Sequence, residues 1–148
     1  MSDEQSTHHA VVEARRWIGT PYVHQAAVMG LGCDCLGLLR GVWRAQYGAE
    51  PEAVPPYTPD WSEPQGDEQL LAAALRHMAR APRDWLPGQL LLFRMRQGAV
   101  AKHLGILAGG GPDGTFIHAY SGHGVVESPL SDPWRRRVAA RFTFPDKR

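Results

Sequence analysis

Residues 32–39 read Gly-Cys-Asp-Cys-Leu-Gly-Leu-Leu, and this run is the strongest indication of both the fold and the chemistry of the chain. Asp34 falls at the N-cap of a predicted helix that begins at Cys35 and stops at Gly48. The buried stripe of this helix is Leu38, Leu39, Val42 and Trp43. A cysteine at a helix N-terminus experiences the partial positive charge of unpaired backbone N–H groups, which favours the thiolate, although the anion of Asp34 opposes it. We interpret Cys35 as a nucleophile that a histidine must activate.

Two histidines downstream of Cys35 are candidates for the base that activates it. His103 begins the apolar run 103–107, which ends in the glycine-rich turn 109–114, and His118 lies in the next apolar run. The 15 positions from 103 to 118 are enough for two strands and a turn, so a hairpin can place the two imidazoles side by side. We predict His103 as the base and His118 as the residue that orients it.

The remaining pattern predicts an α+β fold. Ser6 or Thr7 caps a first helix through Trp17, whose inner face is Ala10, Ala14, Trp17 and Ile18. A proline-rich stretch at 50–65 precedes a further amphipathic helix marked by Leu70, Leu71, Ala74, Leu75 and Met78. Five short apolar runs then predict an antiparallel meander of about five strands, at 89–95, 103–108, 115–120, 124–127 and 137–144. Helices first and strands after indicate an α+β domain.

Composition fits one compact domain over residues 1–148. The chain is 43% hydrophobic and 21% charged, with a net charge of +1. No run approaches the roughly 20 apolar residues of a membrane span. Residues 1–7 are polar and acidic, unlike a signal peptide, so we expect synthesis in the cytoplasm.

The cysteines and charges exclude several other classes of protein. Cys33 and Cys35 are too close for an ordinary disulfide, and with two remote histidines they lack the ligand spacing of structural zinc sites, so we expect no metal. Residues 134–148 carry six Lys or Arg against one Asp. This basic segment is either a solvated face and terminus or a dock for an anionic polymer or protein. It lacks interleaved aromatic residues arranged as stacking platforms, so we expect no nucleic acid as partner.

The motifs together resemble the NlpC family of cell-wall cysteine peptidases, and the resemblance covers most of the chain. Residues 17–22 read Trp-Ile-Gly-Thr-Pro-Tyr, 34–38 Asp-Cys-Leu-Gly-Leu, 87–93 Pro-Gly-Gln-Leu-Leu-Leu-Phe and 103–106 His-Leu-Gly-Ile, followed by His118. The resemblance implies a small papain-like core without a cofactor. It implies Cys35 as nucleophile, His103 as base, His118 as orienter, and Tyr22 with the Cys35 backbone N–H as oxyanion donors.

The resemblance also implies a substrate: the amide between γ-D-glutamyl and a diamino acid in peptidoglycan stem peptides. We assign Asp34 and His24 to substrate binding. The chain departs from the family pattern at three places: Leu36 stands where serine is usual, Gln89 where an acid is usual, and Gln25-Ala26 where Gly-Gly is common.

Two further hypotheses remain open. One is an amidase or acyl transferase that uses the same Cys and His residues on another substrate. The other is a tail structural or wall-binding module that keeps the fold without catalysis. The Cys-Asp-Cys-Leu-Gly-Leu run with Trp43 and residues 55–57 resembles members encoded in tail modules of phages and gene transfer agents. We therefore expect tail proteins as partners and a phage-like particle, or lysis, as the route to the cell wall.

Overall fold

The computed structural model describes residues 3–54, 57, 68–109 and 114–146. Its helices are α1 (Asp3–Arg16), α2 (Cys35–Tyr47), α3 (Gln69–His77) and α4 (Asp132–Arg136). Its strands are β1 (Ala27–Val28), β2 (Gly32–Cys33), β3 (Ala79–Arg80), β4 (Leu90–Phe93), β5 (His103–Gly109), β6 (Thr115–Tyr120), β7 (Gly124–Pro129) and β8 (Val138–Thr143). Helices and an antiparallel sheet confirm the predicted α+β class.

The main sheet has six strands in the order β3-β8-β4-β5-β6-β7, and β1 and β2 form a separate two-stranded ribbon. Strands β4 to β7 form the predicted meander. The prediction that the last run extends this meander is wrong, because β8 pairs with β4 instead, with Leu90 opposite Phe142. Phe142 is fully buried there. No pattern in the sequence predicts β3, a two-residue strand that pairs with the outer edge of β8.

The N-terminal helix differs from its prediction at both ends. It begins at Asp3, so Ser6 and Thr7 lie within it rather than at its cap. Ala10, Ala14 and Trp17 are buried as predicted, whereas Ile18 is 45% exposed. The reason is that α1 ends at Arg16, and the turn that follows carries Ile18 away from the helical face.

The core lies between these helices and one face of the sheet. Apolar side chains of α1 and α2 pack against alternate residues of β4, β5 and β6; this cluster includes Val11, Leu38, Val42, Leu92, Leu104, Ile106 and Ile117. The other face carries a smaller cluster, Leu91, Phe93, Leu107, Phe116 and Leu130, which Trp134 of α4 covers. The period of two along each strand separates the two clusters. No helix in the described ranges is long and apolar enough to cross a membrane.

Candidate active site

The start of α2 is held by the carboxylate of Asp34. Its Oδ1 accepts a hydrogen bond from the backbone N–H of Gly37 at 2.7 Å, as predicted for an N-cap, and its Oδ2 accepts one from the backbone N–H of Gln25, also at 2.7 Å. Gly37 is required for close packing, since an added Cβ would overlap the carbonyl oxygen of Ala26. The motif residues around Cys35 thus fix the first turn of the helix against the preceding loop.

Cys35 is the first residue of α2, and its thiol is buried. The Sγ atom donates a hydrogen bond to the carbonyl oxygen of Lys102 at 3.6 Å. Burial, with a smaller contribution from the charge of Asp34, raises the pKa of the Cys35 thiol to about 12, and contacts with the backbone N–H groups of Leu104 and Leu36 only partly offset these effects. The helix N-terminus therefore does not produce a thiolate in the resting protein, and a base must remove the proton.

The two predicted histidines are in contact. The Nε2 atom of His103 lies 2.9 Å from Nδ1 of His118, and the Nε2 atom of His118 lies 2.9 Å from Oγ of Ser128. The hairpin of β5 and β6 creates the first contact, because Ile106 pairs with Ile117 and this register puts both imidazoles on one face of the sheet. The predicted neighbouring positions are therefore observed. The catalytic roles of the two residues stay predictions.

Gly105 permits this close approach. A Cβ at this position would lie 2.8 Å from a ring carbon of Phe116, 3.0 Å from the carbonyl oxygen of Ile117 and 3.2 Å from the Cβ of His118. Because the Gly of the His-x-Gly-Ile motif has no side chain, His118 can lie close to the backbone of β5.

Aromatic side chains surround the histidine pair. Trp134 of α4 lies with its ring 5.6 Å from the ring of His103 and 5.1 Å from that of His118, and Phe116 lies 4.2 Å from His118. Burial lowers the pKa of His103 to about 3 and that of His118 to about 4. The lowered pKa of His103 includes a smaller contribution from the nearby His118. Both imidazoles are therefore neutral at neutral pH, as a general base must be.

Strand-like pairing with Cys33 brings Tyr22 to the cleft that Cys35 lines. The backbone N–H of Cys33 donates to the carbonyl of Pro21 at 3.0 Å, and the N–H of Val23 donates to the carbonyl of Cys33 at 3.1 Å. Burial raises the pKa of Tyr22 to about 12, and the neighbouring Cys35 adds to the shift. The phenol hydroxyl is thus a hydrogen-bond donor over the whole physiological pH range.

One cleft of about 400 Å³ joins these groups. Its lining includes the predicted residues Tyr22, His24, Asp34, Cys35 and His103, together with Tyr57, Lys102 and Tyr120. His118 lies behind His103. A candidate nucleophile and a candidate base that open onto the same cleft make an arrangement suited to acyl transfer.

His24 and Asp34, predicted to bind substrate, hold Tyr57 in the cleft. The hydroxyl of Tyr57 donates to Oδ2 of Asp34, and its backbone carbonyl lies 2.7 Å from Nε2 of His24 and 2.8 Å from the side-chain nitrogen of Gln25. Asp34 is only 2% exposed and is already bonded by two backbone N–H groups. Capping and holding Tyr57 are the contacts that the structure gives these side chains.

Cys33 is fully buried with a free thiol, and burial raises its pKa to about 12. Within the described ranges, no three His, Cys, Asp or Glu side chains are grouped so that they could hold a metal ion.

Comparison with known proteins gives the family. Residues 19–142 match the model of the NlpC/P60 family. The chain belongs to the NlpC/P60 family. It is 30% identical over 135 residues to the Gamma-DL-glutamyl hydrolase of Bacillus subtilis, which covers 90% of this chain and 28% of that protein. It is 29% identical over 107 residues to the Murein DD-endopeptidase MepS/Murein LD-carboxypeptidase of Escherichia coli, which covers 72% of this chain and 46% of that protein. The chain thus spans less than half the length of these relatives.

Solved structures agree on the fold. The NlpC/p60 domain of the peptidoglycan hydrolase SagA is 26% identical, with a TM-score of 0.59, and the match covers 95% of this chain and 98% of that domain. An NlpC/P60 family protein from Bacillus cereus is 21% identical, with a TM-score of 0.61, over 91% of this chain and 39% of that one. The six-stranded arrangement with its N-terminal helices is thus an NlpC/P60 fold.

Two departures from the NlpC/P60 pattern have structural compensation. Gln25, at a position where glycine is common, has a positive φ of 66°, and its backbone N–H is fixed by Asp34. Gln89, where an acid is usual, is 1% exposed. Its side-chain oxygen accepts a hydrogen bond from Arg141 at 2.8 Å and its nitrogen donates to the carbonyl of Asp84 at 2.9 Å. An amide can satisfy a donor and an acceptor at once, which a carboxylate cannot.

Sequence reasoning missed three residues of this NlpC/P60 site. Ser128 could have been found from the turn at 122–124, since the hairpin register that follows puts Ser128 opposite Phe116 and thus beside His118. Tyr57 and Trp134 gave no usable signal. Tyr57 lies in a proline-rich stretch that has no period, and Trp134 reaches the histidines only because α4 folds back over the sheet.

Proposed function

We propose that this NlpC/P60 domain is a cysteine peptidase that hydrolyses an amide bond in peptidoglycan stem peptides, specifically the bond from γ-D-glutamyl to a diamino acid. The observation that carries the proposal is the cleft onto which Cys35 and His103 both open, with Nε2 of His103 bonded to His118. The names of the relatives, a Gamma-DL-glutamyl hydrolase and a Murein DD-endopeptidase, support this substrate class.

The proposed reaction follows from the free nitrogen of the base. Nε2 of His103 is engaged by His118, so Nδ1 accepts the thiol proton as Sγ of Cys35 attacks the carbonyl carbon. Tyr22 and the Cys35 backbone N–H donate to the resulting oxyanion. The imidazolium of His103 then gives its proton to the leaving amine as the C–N bond breaks. A water molecule, deprotonated by the same imidazole, hydrolyses the thioester and restores the thiol.

Burial determines the order of events in this reaction. The raised thiol pKa and the lowered imidazole pKa both disfavour a resting thiolate-imidazolium pair. Proton transfer therefore accompanies the attack on the substrate, and the negative charge passes directly to the oxyanion. This differs from a nucleophile that is ionised in advance.

The test is cleavage of purified peptidoglycan fragments, with the products identified by mass spectrometry. We expect the wild-type domain to release a product cut between glutamyl and diamino acid residues, and Cys35→Ala to release none. Cys33→Ala is the matched control, because it removes a buried thiol two residues away and should retain cleavage. Products joined to an acceptor other than water would indicate an acyl transferase. Binding of fragments by both proteins without cleavage by either would indicate a wall-binding module and overturn the proposal.

We further propose that the domain acts at the cell wall as part of a phage-like particle, after synthesis in the cytoplasm. The support is the resemblance of residues 33–38, Trp43 and residues 55–57 to tail-encoded members; Pro55 and Pro56 lie outside the described residues. Mass spectrometry of purified particles should then detect the chain together with tail proteins. Its absence from particles, with the chain found only in the free protein fraction, would refute this proposal.

A further inference from the structure

We propose that Ser128 is a positioning residue of this hydrolase. Its hydroxyl accepts the Nε2–H of His118. This contact makes available the one tautomer of His118 in which Nδ1 of His103 is left to accept the proton of Cys35. The inference rests on the function proposed above and adds a side chain to the predicted series Cys35, His103 and His118.

The two hydrogen bonds allow only one productive pattern of protons. Each neutral imidazole carries one N–H and one acceptor nitrogen. For Nδ1 of His103 to be the acceptor, its Nε2–H must donate to Nδ1 of His118, across 2.9 Å. His118 then carries its own proton on Nε2, which donates across 2.9 Å to the oxygen of Ser128. The opposite tautomer of His118 would place a proton on Nδ1 of His103, and His103 would no longer be a base.

The surroundings of His118 make the hydroxyl necessary. His118 is 1% exposed, and its ring lies among Phe116, Trp134 and Tyr120. In such a site, an N–H without an acceptor is strongly disfavoured. Without Ser128, the proton of His118 would therefore move to Nδ1, where His103 could accept it, and this is the unproductive tautomer.

The fold places Ser128 for this contact and leaves the neighbouring charges otherwise engaged. In the register of β6 and β7, Phe116 is opposite Ser128 and His118 is opposite Val126, so Ser128 lies on the same face as His118, two residues along. The adjacent Glu127 is bonded instead to Arg15 and to Thr115.

The titratable groups that face His118 come from two strands and a turn. They are His103 of β5, Tyr120 of β6 and His123 of the turn between β6 and β7, and the charge of His123 contributes to the lowered pKa of His118. Trp134 covers the site from α4 and brings no charge. The two ring nitrogens of His118 are bonded to His103 and to Ser128, so the loss of either partner changes which tautomer is favoured.

The experiment measures the rate at which iodoacetamide alkylates Cys35 as a function of pH, alongside peptide cleavage. We expect Ser128→Ala to lower both rates about five- to tenfold near pH 7, the effect of one lost hydrogen bond. Its alkylation should then rise tenfold per pH unit, as ionisation of the thiol alone requires. Ser128→Thr should restore the wild-type profile because it keeps the hydroxyl. Ser131→Ala is the matched control, since Ser131 is exposed and its side chain makes no cap hydrogen bond.

A double-mutant cycle separates positioning from mere stabilisation. If Ser128 acts through His118, Ser128→Ala should have no further effect on alkylation in a His118→Ala background. Equal effects in both backgrounds, or a wild-type alkylation profile in Ser128→Ala, would overturn the inference. Alkylation needs no peptide substrate, so it tests the role of Ser128 independently of cleavage. If the wild-type protein cleaved no stem peptide, the proposed function would be refuted, and the alkylation rates would still test the role of Ser128.

Discussion

Acid should destabilise this domain through its two buried histidines, well above the pH at which carboxylates titrate. His103 and His118 have ordinary pKa values near 6.5 when unfolded and values of about 3 and about 4 when folded. Below pH 6.5 the unfolded chain therefore binds more protons than the native chain, and stability falls as the pH falls, until the folded pKa is reached.

The magnitude follows from the window in which only the unfolded state is protonated. Each pH unit between 6.5 and the folded pKa costs about 1.4 kcal/mol per histidine, so lowering the pH from 7.5 to 5 removes about 2 kcal/mol per histidine and about 4 kcal/mol in total. This is a large part of the 5–15 kcal/mol typical of a small domain. Carboxylates with a lowered pKa, such as Glu50 and Glu127, lose their stabilisation only below about 4.5, outside this window.

The assay is urea denaturation at half-unit steps from pH 7.5 to 5, with the free energy of unfolding as the readout. His118→Asn should halve the slope of that free energy against pH, whatever its effect at pH 7.5. His9→Asn is the control, because His9 is exposed on α1 and its replacement should leave the slope unchanged. A free energy of unfolding that is constant across the window, or a full slope in His118→Asn, would refute the reasoning.

Two further substitutions test the packing of the site. Gly105→Ala should lower the free energy of unfolding by about 1–3 kcal/mol and abolish most cleavage, because the added Cβ would overlap Phe116 and its neighbours. Gly109→Ala is the control, since an added Cβ there meets nothing within 4 Å, and equal urea midpoints for the two variants would contradict the prediction. Trp134→Leu should raise the pKa of His103 in an NMR titration because water then reaches the imidazole ring. Trp85→Leu, which removes a ring stacked under Arg141, should leave that pKa unchanged, and an unchanged pKa of His103 in Trp134→Leu would contradict the prediction.

The parts of the fold that the sequence predicts are those in which local pattern and packing agree. The helix at Cys35 has its predicted cap at Asp34 and its predicted stop at Gly48, with φ of 85°. Of the predicted apolar stripe, Leu38, Val42 and Trp43 are buried, and Leu39 is partly buried. The pairing of β8 with β4 had no such signal. Strand partners are selected by burial across the sheet, here of Phe142 beside Leu90, and this long-range contact has no local period.

The site was predictable to the extent that it repeats a family motif or a hairpin geometry. Cys35 lies in a family motif at a helix N-terminus, and His103 and His118 lie in the family pattern and also on the hairpin of β5 and β6. Trp134 satisfies neither, because its position depends on where α4 lies relative to a strand that is far away in sequence. The sign of the thiol pKa shift was also beyond the sequence. A helix N-terminus lowers the pKa of a thiol, but full burial raises it, and only the structure shows that burial of Cys35 is the larger effect.

That burial links the electrostatics of the site to its proposed chemistry. Burial disfavours both a thiolate at Cys35 and an imidazolium at His103, and so disfavours a resting state with a charge on either residue. The favourable path is one in which the proton leaves as the bond to carbon forms, with negative charge appearing only on the substrate oxygen beside Tyr22, whose hydroxyl remains a donor. In the proposed reaction, reactivity toward the scissile amide depends on an oxyanion that Tyr22 can reach. A buried, neutral Cys-His pair would then favour selectivity at the cost of general thiol reactivity, and the proposed contacts from His103 through His118 to Ser128 suit this reaction because they would orient the base without adding a charge.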